Sequence, residues 1–368
     1  MTRVPTFGDA VRNAKGGATG FDYLRLGLAL YVLLWHCVSV SDLEASKSVW
    51  MGAFGPFHRS VLPMFFALSG FLVAGSFARN TIPAFIALRA LRIVPALAVE
   101  VALTALVIGA AFTTLPLADY FGSEEFWAYF LNVAGDIHFT LPGVFDGSAI
   151  NSQLWTIPVE FQCYLALVVL GVIGLGAKRD LFVILTLSAI LLLTYTAVRN
   201  DLVKTGPAAP SLALVLSFLC GVCGYMYKDV IPRRGALLAA CAVASYGCLY
   251  AGNLVFLSPL PIAYVTIFVG LAKLPRLKWG DLSYGLYLFN NPVIACVFFM
   301  TGRNANWEFL LAVGLPLTLA FAYLSWTLIE RPILTRKQDV LRIVERAFGK
   351  ISPRLFAAAA LTRSRAPL

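Results

Sequence analysis

The chain has 368 residues, of which 59% are hydrophobic and only 13% charged, and its net charge is +10. A soluble domain carries about 25% charged residues, so this composition excludes a water-soluble globule and points to a membrane protein. The basic residues are scattered between apolar runs rather than gathered in one patch, which argues for membrane topology and against a nucleic-acid partner.

Ten apolar runs predict ten spans, at 22–40, 60–78, 94–115, 156–176, 181–198, 209–227, 235–252, 254–273, 281–301 and 308–330. Each has room for most of the roughly 20 residues that cross a hydrocarbon core. The runs are continuous rather than alternating, so helices are expected and not a barrel. The predicted fold is all-α, a polytopic membrane bundle with about ten transmembrane helices. It divides into a cytosolic N-terminal segment 1–20, a membrane domain 21–335 and a cytosolic basic tail 336–368. With the first segment inside and the spans alternating, 24 of the 29 basic residues fall inside and 5 outside. That asymmetry places both termini in the cytosol and supports an even number of spans. Only Gly252 and Asn253 mark the turn between the seventh and eighth spans, but merging those two would invert everything after them. The first twenty residues are polar and show no signal-peptide pattern.

The first span, FDYLRLGLALYVLLWHC, carries Arg25 and His36 eleven positions apart. Eleven helical steps return to within about 20° of the start and climb about 16 Å, so the two side chains share one face. Ionisable residues in a membrane helix are costly and mark function by default. His36, past the midpoint toward the outer side, is a candidate general base for a hydroxyl nucleophile. In the second span, Ser69 in LPMFFALSGFLV has no His or acid near it in sequence. Close helix packing through Ser69 and Gly70 is therefore the expectation.

Arg89 and Arg92 lie one turn apart, just before the predicted third span. They read either as a guanidinium pair for donor phosphates at the inner surface or as anchors to lipid phosphate. Glu100 lies eleven residues beyond Arg89, on the same face and about 16 Å deeper. A proton relay, an ion pair and a structural partner for a buried Arg are all open readings for it. The outer insert, about 116–155, is the longest non-spanning segment. Its SEEFWAYFLNV stretch predicts an interfacial helix, and the remainder predicts a loop folded back over the bundle.

Glu160 opens the fourth span behind Pro158. It either favours the positive helix end or faces the outer mouth of a cavity, where it would position His36 or an acceptor hydroxyl. Cys220 and Cys223 form a C-x-x-C, but no second ligand pair accompanies them, so no metal site is predicted. All seven cysteines fall within or beside spans and read as small buried residues. Glu330, followed by Arg331 and Pro332, reads as a helix-terminal ion pair or a site residue. In the tail, Val340, Val344, Ala347 and Ile351 share a stripe, predicting a basic helix on the inner leaflet.

Taken in order, these segments resemble the acyltransferase-3 family of integral membrane O-acyltransferases. Phe21-Asp22 with Arg25 and His36 resembles the family's opening motif of an Arg, ten residues and a His. LPMFFALSGFLV resembles its Phe-Phe-x-Leu-Ser-Gly-Phe segment. FIALRALRIVP resembles its Arg-Arg-x-x-Arg motif, with Leu88 in place of the first Arg. The segment ending in LWTIPVE, with Glu160 as the acid, resembles its Leu-Trp-(Ser/Thr)-x-x-x-Glu motif. GDLSYGLYLFNNP, which contains Tyr284, resembles Ser-Tyr-x-x-Tyr-Leu-x-His-x-Pro, with Asn290 where many members have His.

The resemblance implies transfer of an acyl group, usually acetyl from acetyl-coenzyme A, onto a hydroxyl of a surface, exported or lipid-linked glycan in a bacterial inner membrane. His36 would be the base and Arg25 would hold donor or helix geometry, with Glu160 as a third catalytic residue. Arg89 and Arg92 would bind the donor. Ser69, Glu100, Tyr284, Asn290 and Glu330 are further candidates. The donor is a substrate and no bound cofactor is expected. The predicted partners are acyl-coenzyme A, the acceptor and membrane lipid. The stand-alone form, without a fused hydrolase-like domain, is expected, since the tail after Glu330 has 38 residues. Two other classes stay open on the residues alone: a transporter for a small anion or glycan precursor with Arg25, His36 and Glu100 along its path, and a scaffold whose polar residues only fix packing.

Overall fold

Ten apolar helices form the body of the protein among the residues that the computed structural model describes, which are 4–14, 18–175, 178–200 and 211–348. Lys15, Lys204, Ile351 and the rest of the tail beyond 348 lie outside the described residues. In chain order the helices are α1 (Gly20–Ser41), α2 (Gly55–Phe77), α3 (Ile82–Leu103), α4 (Thr156–Val172), α5 (Arg179–Asn200), α6 (Ser211–Met226), α7 (Gly235–Ala251), α8 (Pro259–Gly270), α9 (Ser283–Met300) and α10 (Trp307–Ser325). Short helices Phe7–Asn13 and Leu43–Met51 flank α1, and an amphipathic α11 (Lys337–Phe348) follows α10. No strand occurs among the described residues.

Seven of the ten segments are long and apolar enough to cross a bilayer, and the chain is a multi-pass membrane protein. The other three are α6, α7 and α8, and α8 has only 12 residues, about 18 Å of helix. The predicted eighth span starts five residues too early, because Gly252–Leu257 is a series of turns before Pro259 opens α8.

The third span departs from expectation more strongly. Thr81 caps the helix by accepting from the Ala84 amide, Pro83 occupies its first turn, and the helix runs unbroken past Pro95 to a π-helical stretch, Thr104–Gly109, and on to Phe112. Arg89 and Arg92 therefore sit inside the third helix rather than before it.

Close packing rests on glycine where backbones meet. A Cβ on Gly70 would collide with the Phe218 carbonyl of α6, and one on Gly221 with the Ala67 carbonyl of α2. Small residues thus seat α2 against α6, as expected around Ser69-Gly70. The outer insert folds back over the bundle. Phe126, Tyr129, Leu141, Phe145 and Ile150 pack on Leu97 and Val101 of α3 and Leu288 of α9. SEEFWAYFLNV is an α-turn, Glu124–Ala128, continued as a 3-10 helix, Tyr129–Ala134, and not one interfacial helix. Its Phe126 and Tyr129 are buried, while Trp127 stays exposed. The helix α11 packs along α3.

Candidate active site

The eleven-residue spacing of Arg25 and His36 has a structural counterpart. Two cavities lie one above the other against the same face of α1. The one lined by His36 is on the side of the outer insert, and the one lined by Arg25 is on the side of the described chain ends. Leu62 and Tyr287 line both.

The His36 cavity is open to solvent and holds about 620 Å³ of empty space, the solvent at its mouth included. His36 Nδ1 is hydrogen-bonded to Asn290 Oδ1. The direction of that bond follows from the other end of the amide. Asn290 Nδ2 donates to the carbonyls of Leu286 (3.0 Å) and Tyr287 (2.7 Å), which can only accept, so Oδ1 must face the imidazole. Nδ1 therefore carries a proton, and in the neutral ring the Nε2 lone pair is free. Asn290 is fully buried and supplies this acceptor in the position where many relatives place a His.

Pro292 explains the next element of the site. Lacking an N–H, it leaves the Leu288 carbonyl without its helical donor. Gln153 Nε2 fills that vacancy at 2.7 Å. Beside it, Asn291 Nδ2 donates to Ser152 Oγ at 2.7 Å. The Tyr287 hydroxyl donates to the Gln153 carbonyl at 3.1 Å and lies 2.7 Å from Thr156 Oγ1. The NSQLWT segment is thereby clamped to α9 beside His36. Trp35, Trp50, Trp155 and Tyr31 wall the cavity, together with His58 and Arg59. The His58 ring lies 3.9 Å from Trp35 and 4.7 Å from Trp50 between centroids.

The Arg25 cavity is a cleft with about 920 Å³ of empty space, lined also by Arg89, Arg92, Ser69, Glu160, Tyr164 and Tyr284. Glu160 is hydrogen-bonded to the Tyr164 hydroxyl, and Arg89 and Arg92 are the cations that act on it. It belongs to this cleft and does not line the His36 cavity, so the outer-mouth placement expected from sequence is not what the fold gives. Arg89 has no carboxylate within ion-pair distance among the described residues. Its guanidinium lies 6.0 Å from the Phe85 ring, and its Nε is buried without a partner.

Arg92 is held differently. Its Nη2 lies 2.5 Å from Asp281 and its Nη1 lies 3.2 Å from Glu330, with the guanidinium 5.7 Å from the Tyr284 ring. Tyr284 in turn donates to the Ile93 carbonyl at 2.9 Å. Arg25 reaches the same Asp281 oxygen at 3.1 Å and Asp22 at 2.7 Å. Burial alone would raise the Asp281 carboxyl, but the Arg92 and Arg25 guanidiniums and the Ser283 hydroxyl and amide bring it down to about 2. Asp281 thus ties α1 and α3 to the start of α9, and Arg92 extends the network to Glu330 in the π-helical turn that follows α10.

Two further expectations change. Glu330, 3% exposed at the end of a π-helical turn (Trp326–Glu330), pairs with Arg92 and accepts from Ser325 at 3.2 Å instead of pairing with Arg331. Glu100 meets no arginine among the described residues. It accepts from Thr104 (2.9 Å) and Asn151 (2.7 Å) and fastens the outer insert to α3.

Sequence reading did not single out Asp281, the first residue of the predicted ninth span, nor Gln153, Tyr287, His58 and Trp50. Two signals were present: Tyr287 occupies the second Tyr of the Ser-Tyr-x-x-Tyr segment, and Pro292 inside a helix implies a free carbonyl four residues earlier, the one that Gln153 fills.

Comparison with known proteins shows the family. A family model described as an acyltransferase domain, of the acyltransferase-3 type, matches residues 19–329. Over 369 residues the chain is 29% identical to nodulation protein 10 of Rhizobium leguminosarum bv. viciae, covering 91% of this chain and 98% of that one. Over 336 residues it is 27% identical to an O-acetyl transferase of Shigella phage Sf6, covering 88% of this chain and 98% of the relative. No solved structure matches the chain.

Proposed function

We infer the reaction from one premise: the chain belongs to the acyltransferase family whose model covers residues 19–329, and it is a multi-pass membrane acyltransferase. The reaction we propose is transfer of an acyl group, acetyl in the first instance, from acyl-coenzyme A to a hydroxyl of a surface or exported glycan. The setting is a bacterial inner membrane with both termini cytosolic. The observation that carries this reading is the pair of cavities that share Leu62 and Tyr287, one lined by arginines and the other by His36. A cytosolic donor and an extracytoplasmic acceptor need such an arrangement.

In this mechanism Arg89 takes a donor phosphate, since no carboxylate occupies it, and Arg25 contributes from the mouth of the same cleft. Arg92, bracketed by Asp281 and Glu330, holds the helices that form the cleft. Glu160, hydrogen-bonded to Tyr164, lines the same cleft. Ser69 and Tyr284 shape the cleft wall.

The thioester reaches the level of Leu62 and Tyr287. The acceptor hydroxyl gives its proton to His36 Nε2 as its oxygen bonds to the thioester carbon. The tetrahedral species then collapses, the carbon–sulfur bond breaks, and the proton passes from the imidazolium to the departing thiolate. A thiolate leaves readily, so no acyl-enzyme is needed. Asn290 is a positioning residue in this scheme, because it keeps the proton off Nε2.

Family membership replaces the transporter reading. The test is mass spectrometry of surface glycans from cells with and without the gene, together with transfer of label from acetyl-coenzyme A by the purified protein. An acyl mass lost with the gene and labelled product formed in vitro are expected. Identical glycans and no transfer to any hydroxyl acceptor would refute the reading.

A further inference from the structure

Glu100 is the one acid on α3, it is fully buried against the outer insert, and it lines neither cavity. Its Oε1 accepts from Thr104 Oγ1 at 2.9 Å and from Asn151 Nδ2 at 2.7 Å. Asn151 Nδ2 spends its other hydrogen on the Tyr129 hydroxyl. The far ends of both groups are bare. Glu100 Oε2 and Asn151 Oδ1 are buried acceptors without a donor. Native structures rarely leave such groups unsatisfied, and each exception calls for a cause.

No cation neutralises Glu100 among the described residues. The titratable groups in the apolar cluster around it are Tyr120, Tyr129, Tyr164, Tyr284 and Cys296. Tyr120 donates to the Ala105 carbonyl, Tyr164 to Glu160 and Tyr284 to the Ile93 carbonyl, so none of these three serves the free oxygen. An ionised carboxylate in such a place takes up a proton instead. One proton resolves both orphans. On Oε2 it supplies a donor for Asn151 Oδ1 and closes the cyclic pair of a carboxylic acid with an amide, each group donating once and accepting once. Turning the amide over would not remove the need. Oδ1 would then lie 2.7 Å from Oε1, a contact that holds only with a hydrogen between them.

We propose that Glu100 is a carboxylic acid at neutral pH, that its proton closes a clasp with Asn151, and that this clasp positions a wall of the His36 cavity. The chain leads from one to the other within four residues. After Asn151, Ser152 accepts from Asn291 of α9, Gln153 holds the Leu288 carbonyl, and Trp155 lines the cavity. Glu100 is a positioning residue, since it touches no reactant and acts through the insert. The proton belongs to Glu100 whatever the protein acylates, and only the consequence for turnover rests on the acyl-transfer reading.

Infrared spectra of the full chain in nanodiscs, wild type against Glu100→Gln, test the proton. The difference spectrum at neutral pH should contain the carbonyl band of a protonated, hydrogen-bonded carboxylic acid, and carbon-13 glutamate should shift it. A carboxylate band in its place refutes the proposal outright. Glutamine copies the neutral acid, with one acceptor and one donor end, so Glu100→Gln should keep kcat within about twofold and leave hydrogen exchange across residues 126–155 at wild-type rates. Glu100→Leu should speed exchange there and lower kcat about tenfold or more, with KM for the donor unchanged because the arginines lie in the other cavity. Asn151→Ala breaks the clasp from the insert side, carries the same expectation, and decides the question if the leucine variant does not fold.

A large loss of turnover in Glu100→Gln shows a charge at work and overturns the neutral clasp. Wild-type exchange and kcat in Glu100→Leu, or in Asn151→Ala, overturn the positioning role. The two readings fail separately. Acyl transfer by a wild type that lacks the acid band removes the clasp alone, and the acid band without transfer to any hydroxyl removes the acyl-transfer reading alone.

Discussion

Replacing Asn290 with leucine tests the most specific feature of the site. Leucine matches the amide closely in shape and leaves no acceptor opposite His36 Nδ1. The Leu286 and Tyr287 carbonyls that Asn290 Nδ2 caps are helix carbonyls with their own amide donors, so the damage to α9 is small. The damage to the base is not. A buried donor without a partner costs about 1–3 kcal/mol. The imidazole escapes that cost by moving its proton to Nε2, the nitrogen that has to accept from the acceptor hydroxyl. A productive tautomer disfavoured by that amount lowers kcat by roughly 5- to 150-fold. KM for acyl-coenzyme A should stay put, because the arginines lie in the other cavity. Asn290→Asp keeps an oxygen in the same place and should retain more activity than the leucine variant. Nitrogen-15 chemical shifts of labelled His36 report the tautomer directly. Wild-type kcat in Asn290→Leu, or a proton found on Nε2 in the wild type, would refute the reasoning.

Four other outcomes are expected. His36→Ala should lower turnover by roughly 10²–10⁴-fold with donor binding nearly intact, and a stable acyl adduct on His36 in single-turnover labelling would replace direct transfer with a two-step reaction. Arg89→Gln should raise KM for the donor by about tenfold or more with little change in unfolding temperature, whereas Arg92→Gln should lower that temperature by several degrees, since it leaves Asp281 and Glu330 without their shared cation; equal effects from both would contradict the division of roles. The Asp281 carboxyl sits below its ordinary 3.8, so its stabilisation is fully present above that pH and fades as pH falls toward about 2. The difference in unfolding temperature between wild type and Asp281→Asn should then hold from pH 7 to about 5 and shrink only below about 4. Reporter fusions after residue 348 and within the 116–155 insert should report opposite sides of the membrane, and the same side for both would remove the proposed orientation.

What the sequence revealed and what it hid divide along the range of the physics. The ten apolar runs and the shared face of Arg25 and His36 depend on helical period and local hydropathy, both readable within one segment, and the structure has ten corresponding helices. Arg89 and Arg92 misled for the same reason. Two charges inside a window end an apolar run, so the third span was drawn to begin after them. In the fold, Arg92 is neutralised by Asp281 and Glu330, 189 and 238 residues away, and the helix continues through it. Once paired, a cation no longer marks a membrane boundary, and only the tertiary structure supplies the pair.

Glu160 and Asn290 show the converse. Each was found by motif, yet the motif fixed neither what Glu160 faces nor which atom of Asn290 meets His36. The first depends on how α4 rotates toward α3, the second on backbone carbonyls of α9 that orient the amide. Pro292 lies between these cases. Its missing N–H frees the Leu288 carbonyl in any helix that contains it, a fact of covalent structure. That Gln153, 135 residues away in sequence, fills the vacancy is a fact of tertiary structure that no local pattern carries.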